Sequence, residues 1–111
     1  ERALETDFAK LPQPEKEDTT TEFKVRYDDI DVNNHVNNAV YPLWASESVD
    51  PAFRLEHVPQ ELEIAFKKEG HYGERVKIIT EIQENVSLHD ITALSDGREL
   101  AKVRIKWQKR S

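Results

Sequence analysis

The stretch Phe23-Lys24-Val25-Arg26-Tyr27-Asp28-Asp29-Ile30-Asp31-Val32-Asn33-Asn34-His35-Val36-Asn37-Asn38-Ala39-Val40-Tyr41-Pro42-Leu43-Trp44 changes its hydrophobic period once, and that change decides the fold class. Apolar and basic residues alternate from Phe23 to Tyr27, the period of a strand with one buried face. Polar residues from Asp28 to Asn34 read as a loop. Val36, Val40, Leu43 and Trp44 then recur at helical spacing. A helix is expected over residues near 38 to 50, with Asn38 as its N-cap. Pro42 fits only in the first turn, where few backbone donors have intrahelical partners, and Asp50-Pro51 ends or bends the helix.

Outward from that stretch the pattern is all strand. Leu62, Ile64 and Phe66 alternate with Glu63, Ala65 and Lys67; Gly70 and Gly73 mark a turn; Val76, Ile78, Thr80 and Ile82 follow with the same period. A further segment runs around Leu88 to Leu94. Asp96-Gly97 reads as a two-residue hairpin, both of whose central positions need positive φ. Ala101, Val103, Ile105 and Trp107 then alternate with Lys102, Arg104 and Lys106. One strand, one helix and a run of strands make an α+β order, a curved antiparallel sheet of about five strands wrapped around one central helix. Residues 1–22 hold Pro12, Pro14, Thr19, Thr20, Thr21 and many acids, and read as a linker or N-terminal arm before a domain at 23–111.

Composition narrows the function. Of 111 residues, 37% are hydrophobic and 34% charged, so a single modest core depends on patterning rather than content. The chain has no cysteine, which removes disulfides, thiolate metal sites and a cysteine nucleophile and favours a reducing compartment. Cytoplasm, of a bacterium rather than the plastid stroma, is the expected location. No apolar run reaches the length of a membrane span. A formal net charge of -6 disfavours nucleic acid and anionic membrane as partners. Yet Arg98, Lys102, Arg104, Lys106, Lys109 and Arg110 face only Glu99 in the last segment, a basic face suited to an acidic partner or to the solvent side of an edge strand. The chain holds no methionine and opens at Glu1, which points to a further region upstream.

The densest functional cluster is Asp28, Asp29, Asp31, Asn33, Asn34, His35, Asn37 and Asn38, between the strand and the helix. In an extended loop, alternation sets Asp31, Asn33 and His35 on one side, where a hydrolytic site would want them. The helix start adds backbone N–H groups for a developing oxyanion. The same residues also suit an Asx-rich loop that caps the helix. One histidine without a second at ligand spacing is a weak metal constellation, and His57, His71 and His89 read as structural or exposed. Glu69, at the end of the Leu62 to Phe66 strand, reads either as a solvated charge or as a second polar component of a site. Glu47 reads as exposed.

From Arg26-Tyr27-Asp28-Asp29-Ile30-Asp31-Val32-Asn33-Asn34-His35-Val36-Asn37-Asn38 to Tyr41 and Trp44, the sequence resembles acyl-acyl-carrier-protein thioesterases of plastids and bacteria. Similarity continues through Glu61 to Ile64, Phe66-Lys67-Lys68-Glu69, Leu100-Ala101-Lys102 and Trp107. The resemblance implies a hotdog fold, the second of two in tandem, and hydrolysis of fatty acyl-acyl-carrier protein to free fatty acid. It implies Asp31, Asn33, His35 and Glu69 as catalytic residues, with no cofactor or metal. Where plant members often carry a cysteine after that glutamate this chain has Gly70, so Glu69 acts through water or attacks directly, and Gly70→Ser is expected to matter little. Acyl carrier protein is the implied partner, docking on some of Lys67, Lys68, Lys102, Arg104 and Lys106. The domain is expected to pair with itself as a homodimer or with the N-terminal hotdog domain of its parent. Two other readings remain: a single-domain hotdog acyl-CoA thioesterase, and a noncatalytic acyl-binding or assembly hotdog module.

Overall fold

The computed structural model describes residues 2–5 and 11–110. Six strands form one sheet: β1 (Arg2–Glu5), β2 (Thr19–Lys24), β3 (His57–Phe66), β4 (Arg75–Gln83), β5 (Val86–Ala93) and β6 (Glu99–Lys109). Their order is β1-β3-β6-β5-β4-β2. The five strands from β2 to β6 are mutually antiparallel, and β1 adds to the edge of β3 in parallel. Helix α1 (Val40–Glu47) lies against β4 and β6, so the sheet curves around it in a hotdog fold. A short second helix, α2 (Pro51–Glu56), leads into β3.

The core follows from the two periods meeting. Leu62 and Ile64 of β3, Val76 and Ile78 of β4, Ile91 of β5, and Val103, Ile105 and Trp107 of β6 point inward and bury Tyr41, Trp44 and Ala45 of α1. Phe23 stacks on Trp44 with ring centroids 6.0 Å apart, which clamps β2 to the helix. Pro59 sits at a break in the β3–β6 register, where a missing N–H costs no ladder bond.

Four local expectations need correction. The strand expected to open at Phe23 is β2: it begins at Thr19, inside the segment read as an arm, and ends at Lys24 instead of running to Tyr27. It ends early because the Asp29 carboxylate accepts the main-chain N–H of Arg26 at 2.8 Å and folds Tyr27–Asp29 into a 3-10 turn. Residues of the arm also pack on the sheet: buried Leu11 accepts the Lys102 ammonium through its carbonyl at 3.1 Å, and the Glu15 N–H donates to Glu81. Residue 1, residues 6–10 and residue 111, which belong to the expected arm and domain, lie outside the described residues.

The helix starts at Val40 with Ala39 at the cap position and no side-chain cap; Asn37, not Asn38, closes a turn just before it, its side chain accepting the Ala39 N–H at 3.0 Å. The break expected at Asp50-Pro51 falls just ahead of it: α1 ends at Glu47, and Asp50 caps α2, accepting the Ala52 N–H at 2.9 Å. At Asp96-Gly97 only Gly97 has positive φ, +74°, in a longer turn where the Gly97 N–H reaches the Ala93 carbonyl. The two-residue connection is instead Glu84-Asn85, with Glu84 at φ +55°.

Candidate functional site

The loop after the 3-10 turn is closed, not extended. Ile30 bridges to Val36, the Asp31 N–H donates to the His35 carbonyl at 2.9 Å, and Asn34 adopts φ +63°, a conformation asparagine tolerates. The Asp31 carboxylate ties the turn from inside, with Oδ1 accepting the main-chain N–H of Asn33 at 2.9 Å and of His35 at 3.1 Å. Those two N–H groups, His35 foremost, hold its pKa below the usual carboxylate range. Asp31 therefore shapes the loop through the backbone. The convergence of Asp31, Asn33 and His35 comes from this turn, not from strand-like alternation.

A second segment, after β3, is brought alongside by main-chain pairing. The Val36 N–H donates to the Gly70 carbonyl at 2.9 Å, and His35 and His71 form an antiparallel bridge. This pairing sets Glu69 against the loop: its Oε2 lies 3.1 Å from Nε2 of His35. Arg98 steadies the segment by donating to the Glu69 carbonyl at 3.1 Å and to the Glu74 carboxylate at 2.6 Å. Gly70 is buried, and a Cβ placed there would stand 3.0 Å from Cγ2 of Val36. A side chain at this position would ask Val36 to give by a few tenths of an ångström.

Asp31, Asn33, His35 and Glu69 line one cavity of ≈ 570 Å³ with Tyr41 and Phe66, and Lys67 and Lys68 stand at its rim. That volume lies within the range of about 300–1,000 Å³ common for small-molecule sites. The Tyr41 hydroxyl accepts the Gly70 N–H at 3.3 Å, and burial raises its pKa, so it remains a neutral phenol. The helix start offers fewer donors than expected: the N–H groups of Ala39 and Val40 are taken by Asn37, and Pro42 has none.

Two further expectations change. His71 is not remote: its ring centroid lies 5.4 Å from that of His35, and its Nδ1 is 3.6 Å from the Glu74 carboxylate. Nothing local in the sequence signals this, because the approach is made by the His35–His71 bridge. His57 and His89 do take structural roles, one stacked on Phe53 and the other buried. Glu47 is exposed and pairs with Arg54 at 3.2 Å.

The expected basic docking face is also divided. Lys102 is buried, Arg104 is paired with Glu63 across β6 and β3, and Lys106 lines a separate cavity of ≈ 540 Å³ on the outer face of the sheet. Lys67 and Lys68 alone of the five border the cavity that holds Glu69.

Residues 12–109 match the family model of the acyl-ACP thioesterase C-terminal domain. Among curated relatives, a chloroplastic acyl-[acyl-carrier-protein] hydrolase of Cuphea viscosissima is 27% identical over 113 residues, spanning 95% of this chain and 27% of that protein. Among solved structures, the 12:0-ACP thioesterase from Umbellularia californica superposes with a TM-score of 0.77 at 20% identity, over 95% of this chain and 42% of that one. An acyl-ACP thioesterase from Bacteroides thetaiotaomicron superposes with a TM-score of 0.72 at 16% identity, over 89% and 43%. At these identities the two structures speak for the fold. The chain spans about a quarter of the length of the curated relatives it matches. With the family model matched across nearly its whole length, the chain belongs to the acyl-ACP thioesterase family, whose C-terminal domain it represents.

Proposed function

We propose that the protein containing this domain hydrolyses the thioester of fatty acyl-acyl-carrier protein, with Glu69 as general base. The observation that carries the reading is the 3.1 Å approach of Nε2 of His35 to Oε2 of Glu69 in a cavity shared with Asp31 and Asn33. With one carboxylate oxygen held by His35, the other can accept a proton from water as that water attacks the thioester carbonyl. Asn33 and His35 orient water and carbonyl, and Asp31 keeps their loop closed. The tetrahedral intermediate then expels a thiolate, a leaving group of low pKa, which takes up the proton from Glu69. Gly70 in place of a thiol supports a route through water.

Lys67 and Lys68 at the rim favour an acidic carrier protein whose acyl group must enter there. Exposed Leu43 on α1 and Leu55 on α2 favour a paired domain, either a second copy or an N-terminal hotdog of the same chain. No helix among the described residues is long and apolar enough to cross a membrane.

The test is Glu69→Gln in the full-length parent, which keeps size and hydrogen bonding but removes the proton acceptor. Turnover of acyl-acyl-carrier protein should fall by about two to four orders of magnitude with substrate binding nearly unchanged. Near-normal turnover in Glu69→Gln together with complete loss in His35→Ala would make histidine the base and overturn the assignment.

A further inference from the structure

We propose that His35, Glu69 and His71 bind a divalent transition-metal ion of the zinc class, and that the bound ion silences hydrolysis. One donor atom from each of the three residues lies within 4.8 Å of the others. Tetrahedral zinc with bonds of about 2.1 Å sets its ligand atoms about 3.4 Å apart. Nε2 of His35 and Oε2 of Glu69 already stand at 3.1 Å. The remaining adjustment falls on side chains that are 36%, 63% and 45% exposed for His35, Glu69 and His71.

The backbone beneath them is fixed. The His35–His71 bridge and the Val36 N–H to Gly70 carbonyl bond hold the two imidazoles side by side, with ring centroids 5.4 Å apart. Behind His71 stands Glu74, its Oε1 3.6 Å from Nδ1, itself held by Arg98 at 2.6 Å and Ser95 at 3.3 Å. Metal-binding histidines characteristically hydrogen-bond an outer carboxylate through the ring nitrogen that the ion leaves free, and Glu74, 3.6 Å from Nδ1, stands on that side just beyond hydrogen-bond distance. Two imidazoles and one carboxylate suit zinc, cobalt or nickel and are poor ligands for magnesium or calcium, which take oxygen. Lys68 at the rim of the same cavity opposes a cation, so binding should be reversible.

The binding follows from the geometry alone, while the silencing rests on the hydrolytic reading above. A cation on Glu69 occupies the lone pair that would accept the proton of water, and a cation on His35 removes the group that orients Glu69.

The experiment is titration of chelator-treated, untagged protein with zinc chloride, followed by calorimetry and by imidazole 15N resonances. One ion per chain should bind, with shifts at His35 and His71 and none at His57 or His89. His71→Ala, checked for folding by circular dichroism, should weaken binding by on the order of tenfold or more, while His57→Ala leaves it unchanged. Absence of heat and of imidazole shifts in the unmutated protein overturns the site, as does unaltered affinity in folded His71→Ala. In the full-length parent, metal-free enzyme should be active and added zinc should stop it reversibly. Zinc binding with unimpaired or zinc-dependent turnover overturns the silencing. Inactivity in both states, with binding intact, instead counts against the hydrolytic reading and leaves the site standing.

Discussion

Replacing Gly70 with serine should destabilise the domain by overpacking and disturb the site by the same displacement. The new Cβ would lie 3.0 Å from Cγ2 of Val36, 3.4 Å from Cδ1 of Leu100 and 3.5 Å from the Tyr41 hydroxyl oxygen. The first of these is tighter than nine in ten real Cβ contacts, so Val36 or the Gly70 backbone must give by a few tenths of an ångström. Inserting atoms into a packed interior costs about 1–3 kcal/mol. For a domain of this length that lowers Tm by roughly 5–15 °C, measurable by thermal circular dichroism or calorimetry. The strain is steric and involves no unusual backbone angle, so Gly70→Ala should behave like Gly70→Ser. Val36→Ala should relieve the clash, and the double mutant should lose less stability than the two single changes added together. Turnover in the full-length parent should also fall, because Val36 adjoins His35 and is bonded to the Gly70 carbonyl. An unchanged Tm in Gly70→Ser, or full additivity with Val36→Ala, would refute the packing argument.

The pH dependence of stability should carry the mark of His89, whose pKa burial pushes down to about 3. The unfolded chain protonates this residue near its ordinary value of about 6.5, so stability is complete above that pH and is lost progressively as pH falls from there towards the folded value. The loss at pH 5 should be ~2 kcal/mol in denaturant titrations, and His89→Leu should flatten the curve between about pH 6.5 and pH 5; an unchanged slope would count against it. Carrier-protein binding should weaken more on Lys68→Glu than on Lys106→Glu and should fall with added salt, since Lys68 borders the site cavity and Lys106 the outer face. Equal effects at the two positions, measured by surface-immobilised carrier protein, would sink that docking geometry.

The parts of the fold legible in the sequence are those where burial writes a period. Leu62 and Ile64, Val76 and Ile78, and Val103, Ile105 and Trp107 alternate because one side faces α1, and each such run extends into a longer strand in the structure. Thr19, Thr20 and Thr21 belong to β2 yet write no such period, because β2 lies at the sheet edge and none of its six residues is fully buried. Pairing to β4 and the stacking of Phe23 on Trp44 make the strand, while a composition rich in threonine, proline and acids looks like a linker. The hairpin at Glu84-Asn85 is hidden for a related reason: neither residue is glycine, and positive φ at Glu84 is imposed by the Gln83–Val86 pairing.

The site divides along the same line. Asp31, Asn33 and His35 are neighbours in sequence, and their bonds close within five residues, so a local motif can announce them. Glu69 and His71 reach the loop only through main-chain pairing between segments far apart in sequence, which no local pattern encodes. The residue at 70 lies against Val36, Leu100 and the Tyr41 hydroxyl, where a Cβ would ask Val36 to give by a few tenths of an ångström. Glycine at 70 thus lets Val36 pack undisplaced beside the main-chain pairing that brings a carboxylate and two imidazoles together.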